Sequence, residues 1–115
     1  MRYLTVQRER ALACFAMKYA CILNQPQEQF VADNEARTLE EGLGDWPTLR
    51  NGECIRIEIG EEETTFFAAL QTEHKLMVTP VITIEAGTES AEILVQTEFD
   101  GNRKLSLNAK RVEQA

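Results

Sequence analysis

A mainly β fold, an antiparallel β-sandwich with one short helix in an inserted loop, is predicted by three features of this 115-residue chain. Apolar and polar residues alternate at period two through much of the second half. Turn-forming residues recur between those runs. No strand pattern is regularly followed by a helical one, which disfavours a doubly wound α/β sheet. Hydrophobic residues at 43% and charged residues at 27% suit a chain with a packed core, and the length suits one domain over 1–115.

The elements are uneven in clarity. Tyr3-Leu4-Thr5-Val6 reads as a short strand. Residues 11–23 satisfy two periodicities. As a strand they set Phe15, Met17, Tyr19, Cys21 and Leu23 on one face; as a helix they align Leu12, Phe15, Ala16, Tyr19, Ile22 and Leu23 in a stripe. Asn24-Gln25-Pro26 ends the segment either way. Asp33 is expected to cap a helix over 34–41, with Ala36, Arg37, Leu39, Glu40 and Glu41 as helix formers and Gly42 as the stop. Residues 42–47 form a loop, with the Trp46 ring folded over the open end of the core.

From residue 53 the pattern sharpens. Ile55, Ile57 and Ile59 alternate with Arg56 and Glu58, so a strand at 53–59 has one aliphatic and one charged face. Burying each isoleucine is worth roughly 1.5–3 kcal/mol, so a one-residue slip that exposes them is costly. Gly60-Glu61-Glu62-Glu63 is read as the turn of a hairpin whose second strand, 65–70, puts Phe66, Ala68 and Leu70 on one side. Leu76 to Glu85 is strand-like, but Pro80 has no N–H for a ladder, which places it at an edge or at a shift between sheets. Gly87 closes that segment. Ile93, Val95, Thr97 and Phe99 face one way, and Asp100-Gly101-Asn102 turns the chain into Leu105 and Leu107, giving a hairpin over 92–108.

The opening "YLTVQRER", "AMKYACILN" at 16–24, Asn51-Gly52-Glu53 ahead of an alternating strand, "TPVITIEAGTES" at 79–90 and "ILVQTEFDGNRKLSL" at 93–107 are the relevant stretches. Together they resemble small bacterial β-sandwich domains of the PEGA-like, immunoglobulin-like kind. The resemblance implies an immunoglobulin-like sandwich and tips 16–24 toward strand. It departs at 25–50, where the expected helix is inserted. Such domains are mostly non-catalytic, with adhesive or interaction roles, and the resemblance carries over no site residues.

The net charge of −7 opposes nucleic-acid binding unless the bases cluster. They concentrate at the termini: Arg2, Arg8, Arg10 and Lys18 against Glu9, and Arg103, Lys104, Lys110 and Arg111 against Asp100 and Glu113. Were the termini neighbouring strands, a basic strip would face an acidic body and could orient subunits; the alternative is a solvated surface with chance segregation. No nucleic-acid partner is expected. No apolar run approaches the roughly 20 residues that span a bilayer, so membrane insertion is not expected either. Cys14, Cys21 and Cys54 are odd in number and form no C-x-x-C pair. They suit a reducing compartment, and the expected location is cytoplasmic.

Searching for chemistry yields little. No dinucleotide-binding, phosphate-loop, zinc-protease, nucleophile-elbow or EF-hand spacing occurs. His74 is the only histidine, so a Cys54–His74 dyad needs their segments to adjoin; otherwise His74 belongs to an exposed polar loop and Cys54 to half-buried packing. No catalytic residue and no cofactor is assigned. Glu61, Glu62 and Glu63 are candidate calcium ligands, although successive strand residues point alternately and a solvated acidic turn is the commoner outcome. The Phe66-Phe67 pair puts one ring on each side of its strand. Phe67, with Trp46, either lines an exposed apolar patch or lies under a loop or the expected helix. Trp46, Phe67 and Pro80 are accordingly the candidate interaction residues. The expected function is a non-enzymatic protein-interaction module, with self-association through the edge near Pro80 or the face bearing Phe67 as one form of it. The alternative is a small-ligand or cation-binding sandwich using the acidic turn or a pocket beneath Trp46.

Overall fold

A computed structural model describes residues 1–14, 16–73, 75–99 and 104–112. In chain order they form β1 (Arg2–Arg8), β2 (Tyr19–Leu23), α1 (Gln27–Asn34), β3 (Thr48–Leu49), β4 (Cys54–Ile59), β5 (Thr64–Gln71), β6 (Leu76–Val78), β7 (Ile82–Ile84), β8 (Ala91–Phe99) and β9 (Leu105–Val112). One sheet has the order β4-β1-β8-β9; the other has the order β3-β2-β5-β6, with β7 also paired to β5. All pairings are antiparallel except β1 with β8, which is parallel. The fold is therefore mainly β, with two sheets around a shared core: Leu4 and Val6 of β1, Ile93 and Val95 of β8 and Leu107 of β9 pack with Tyr19, Cys21, Phe66, Ala68 and Leu70 of the second sheet.

The second sheet is covered on both faces. Its outer side chains, Ala20, Ile22, Phe67 and Ala69, form a separate cluster with Phe30 of α1, joined by half-buried Leu43 and Trp46. This double burial explains why 11–23 fits two periodicities: a strand buried on both sides has no polar alternation to display. Only 19–23 is strand, and the ring expected at Phe15 lies outside the described residues.

The helix forms earlier than the sequence suggests. It occupies Gln27–Asn34, starts after Pro26 without a side-chain cap, and ends at Glu35, so Asp33 lies in its last turn and is not its cap. Two buried residues decide this, one apolar and one polar. Phe30 packs edge-on against Phe67 at 5.3 Å, and Asn34, one turn later on the same face, donates its side-chain amide to the Phe30 carbonyl. Residues 34–41 offer only Leu39 as a large apolar side chain, and it is exposed, so a helix there would have no face to bury.

The segment 53–70 also differs from expectation. Ile55, Ile57 and Ile59 do face inward, but β4 and β5 belong to different sheets, so residues 60–63 form a corner and not a hairpin turn. Arg2 dictates this. Its guanidinium donates from Nε to the Gly60 carbonyl at 2.8 Å, from Nη2 to that of Glu62 at 2.8 Å and from Nη1 to that of Glu85 at 2.8 Å. The Gly87 amide, from the β7–β8 corner, bonds the Glu61 carbonyl. The 92–108 hairpin is present as β8 and β9, with its turn at 100–102 outside the described residues. Pro80 interrupts an edge, with β6 and β7 both remaining on β5. The buried Thr79 hydroxyl accepts the Ala68 amide there and keeps the ladder satisfied across the break.

At the other end of β1, Arg8 is wholly buried. It donates to the carbonyls of Cys14 at 2.8 Å, Leu49 at 3.0 Å and Met17, and lies 3.6 Å over the Tyr19 ring. Among the described residues no carboxylate pairs with it, and Nε has no partner. Carbonyl dipoles and the π face therefore offset the desolvation of its charge. Arg8→Met, which strands those carbonyls, is expected to lower folding stability by about 3–5 kcal/mol, and Arg8→Lys by about 2–4 kcal/mol because an ammonium lacks the planar fork. Exposed Arg56→Met should cost less than about 0.5 kcal/mol. Urea denaturation of the three variants checks the ranking.

Candidate functional site

The three candidate interaction residues occupy different surroundings. Phe67 is 0% exposed beneath Phe30, so it offers no surface; the apolar side of its strand is roofed, but by a helix at 27–34. Trp46 is half-buried against the same cluster. Pro80 is exposed between β6 and β7, outside that cluster. The structure does not gather the three into one patch.

The charged candidates are similarly dispersed. Arg2 and Arg8 do not contribute to a basic strip, since both are buried, and β8 separates β1 from β9. Glu61, Glu62 and Glu63 are exposed on a corner whose backbone carbonyls already serve Arg2. Among the described residues no group of three or more histidine, cysteine or carboxylate side chains is arranged to hold a metal ion. Cys54 is exposed, not half-buried, and His74 lies outside the described residues. Cys21 is buried, and its thiol is pushed up to about 12 by burial and then by the nearby Glu53 carboxylate. Burial likewise raises the Tyr19 hydroxyl, against the lowering effects of its bond to Thr97 and the charge of Arg8.

Concave surface is shallow. One groove of about 430 Å³ lies between the 35–40 loop and residues 71–73, 75 and 76; another of about 350 Å³ is lined by Ala16, Met17, Ala20, Leu43, Leu70 and neighbours. Gln71 ties this loop down by donating to the Arg37 and Thr38 carbonyls, each at 2.8 Å.

The sheet edges are more informative. Natural edges are blunted by shortness, proline, bulges or lysine, because a regular free edge templates pairing with another chain. Strand β3 has two residues. The β6–β7 edge is broken at Pro80. Strand β9 carries Lys110 and Arg111 and approaches β6 and β7 across the sandwich. Strand β4 has no break, proline or lysine: it is six residues of unbroken ladder, and its exposed charges, Arg56 and Glu58, are of opposite sign.

The register shows which groups β4 leaves open. The Arg8 amide bonds the Glu53 carbonyl, so β4 residues of odd number turn their backbone groups to β1. Cys54, Arg56 and Glu58 turn theirs outward, and among the described residues these groups have no backbone partner. Their side chains are exposed, while Ile55 and Ile57 point toward the core yet stay only half-buried. Arg56 is stacked 3.9 Å over the Tyr3 ring of β1. Sequence reasoning names none of these positions as an edge site, Cys54 entering only as half of a dyad with His74, because alternation gives the faces of a strand and not its neighbours.

Compared with protein-family models, curated proteins and solved structures, the chain matches none.

The exposure pattern predicts selective thiol chemistry. Iodoacetamide at mildly alkaline pH is expected to label Cys54 in the folded protein and Cys21 only after unfolding, read by peptide mass spectrometry. Because folding raises the Cys21 pKa, its contribution to stability is intact below its ordinary value of 9.0 and is lost as pH rises toward about 12. The urea midpoint should therefore fall across that interval, and less steeply in Cys21→Ala.

Proposed function

We propose that the chain is a non-enzymatic protein-interaction module, an immunoglobulin-like sandwich whose contact surface is the open edge of β4. The reading is supported by one observation above all. Strand β4 is the regular, unbroken edge, with outward backbone groups at Cys54, Arg56 and Glu58 and two half-buried isoleucines beside them. A partner strand added there gains main-chain hydrogen bonds and covers Ile55 and Ile57, which is the physics of β-strand addition. The immunoglobulin-like arrangement is favoured by a chain that passes between sheets at β1–β2, β3–β4, β4–β5 and β7–β8, pairs β2 with β3, β5 with β6 and β8 with β9 as sequential neighbours, and lays both β6 and β7 on β5. Unpaired Cys14, Cys21 and Cys54 favour a reducing compartment. No helix among the described residues is long and apolar enough to cross a membrane.

Arg56→Pro tests the edge directly. The Arg56 amide points outward, so proline there spares the β1 ladder while blocking an incoming strand. In cross-linking mass spectrometry in the source cells, contacts of the wild-type chain are expected to vanish from Arg56→Pro. Equal recovery by both chains refutes the edge as the contact surface.

A further inference from the structure

Resting on the interaction reading, we infer that the partner strand at this edge is β4 of a second copy, paired antiparallel across a twofold axis centred on Ile57. The register follows from parity and charge. Ladder bonds require outward residues to meet outward residues, so Cys54, Arg56 and Glu58 of one copy must face even-numbered residues of the other. Centring the axis on Arg56 sets Arg56 against its own copy, and centring it on Glu58 does the same for Glu58; like charges directly opposite are destabilising. Centring on Ile55 leaves Arg56 facing Cys54 and Glu58 facing Gly52. Centring on Ile57 places Arg56 opposite Glu58 twice, once on each side of the axis, and each of these pairs exchanges both backbone bonds.

The same register closes the apolar side. Ile57 meets Ile57 of the second copy and Ile55 meets Ile59, so the core-facing isoleucines left half-buried in one copy are covered by the other. The β4 edge is thus self-complementary in hydrogen bonds, charge and apolar contact, and the first sheet continues through the axis into its copy.

Sedimentation of the purified chain over a concentration series tests the pairing. The wild type is expected to dimerise. Arg56→Glu and Glu58→Arg should each weaken the dimer roughly tenfold, since two attractive cross-strand pairs become repulsive. The double reversal, Arg56→Glu with Glu58→Arg, should restore it. A strictly monomeric wild type, or a double reversal no better than either single change, overturns the inference.

Register is read independently through Gly60, which would face Cys54 and has open space for a side chain. Directly opposed residues of antiparallel strands have Cα atoms about 4.5–5.5 Å apart, within disulfide reach whether or not the pair shares backbone bonds. Gly60→Cys should therefore oxidise to a covalent dimer linked through Cys54, and adding Cys54→Ser should abolish the link. Absence of the Cys54 linkage in Gly60→Cys overturns the register. A monomeric wild type whose cellular contacts are still lost in Arg56→Pro refutes the second copy as partner while leaving the edge reading standing. Contacts unchanged by Arg56→Pro refute the edge itself.

Discussion

Two buried arginines on the inward face of β1 govern how this sandwich is closed. Inward positions run Arg2, Leu4, Val6, Arg8, so the aliphatic middle of the strand joins the core while each end presents a guanidinium. Neither charge is neutralised by a carboxylate among the described residues. Each instead collects backbone carbonyls from segments that leave the sheets: Gly60, Glu62 and Glu85 at one end, Cys14, Met17 and Leu49 at the other. Corner segments generate carbonyls that no ladder can satisfy, and a planar fork of five donors serves several at once. A central strand thereby fastens both ends of the sandwich.

The sequence reveals faces better than neighbours. Ile55-Arg56-Ile57-Glu58-Ile59 declares its inward side because the first sheet is covered on one face only, so period two survives there. Tyr19-Ala20-Cys21-Ile22 and Phe66-Phe67-Ala68-Ala69 blur because the second sheet is covered on both faces. The helix is misplaced by a capping signal at Asp33 that is locally sound; the anchor that overrides it, Phe30 on Phe67, joins residues far apart in sequence. Arg2 and Arg8 read as surface bases by composition, yet their phase with Leu4 and Val6 is the one local sign that they point inward.

The interaction surface is the least legible feature for the same reason. Trp46, Phe67 and Pro80 stand out as residue types, but the helix roofs Phe67 and Pro80 marks the edge that is broken. The β4 edge contains no unusual residue. Its openness comes from strand order, with β1 on one side only, and strand order depends on long-range pairings that alternation cannot encode.

The parallel pairing of β1 with β8 sets the order in which the molecule can be completed during synthesis. Every strand of the second sheet lies within residues 19–84, so that layer can assemble while the ribosome is still adding the remainder. The first sheet must wait, because β1, one of its two inner strands, precedes the whole second sheet in the chain, while its neighbour β8 follows only after residue 90. Joining β1 to β8 closes a loop that spans the entire second sheet, so this contact carries a larger loop-closure entropy than the β8–β9 pairing beside it.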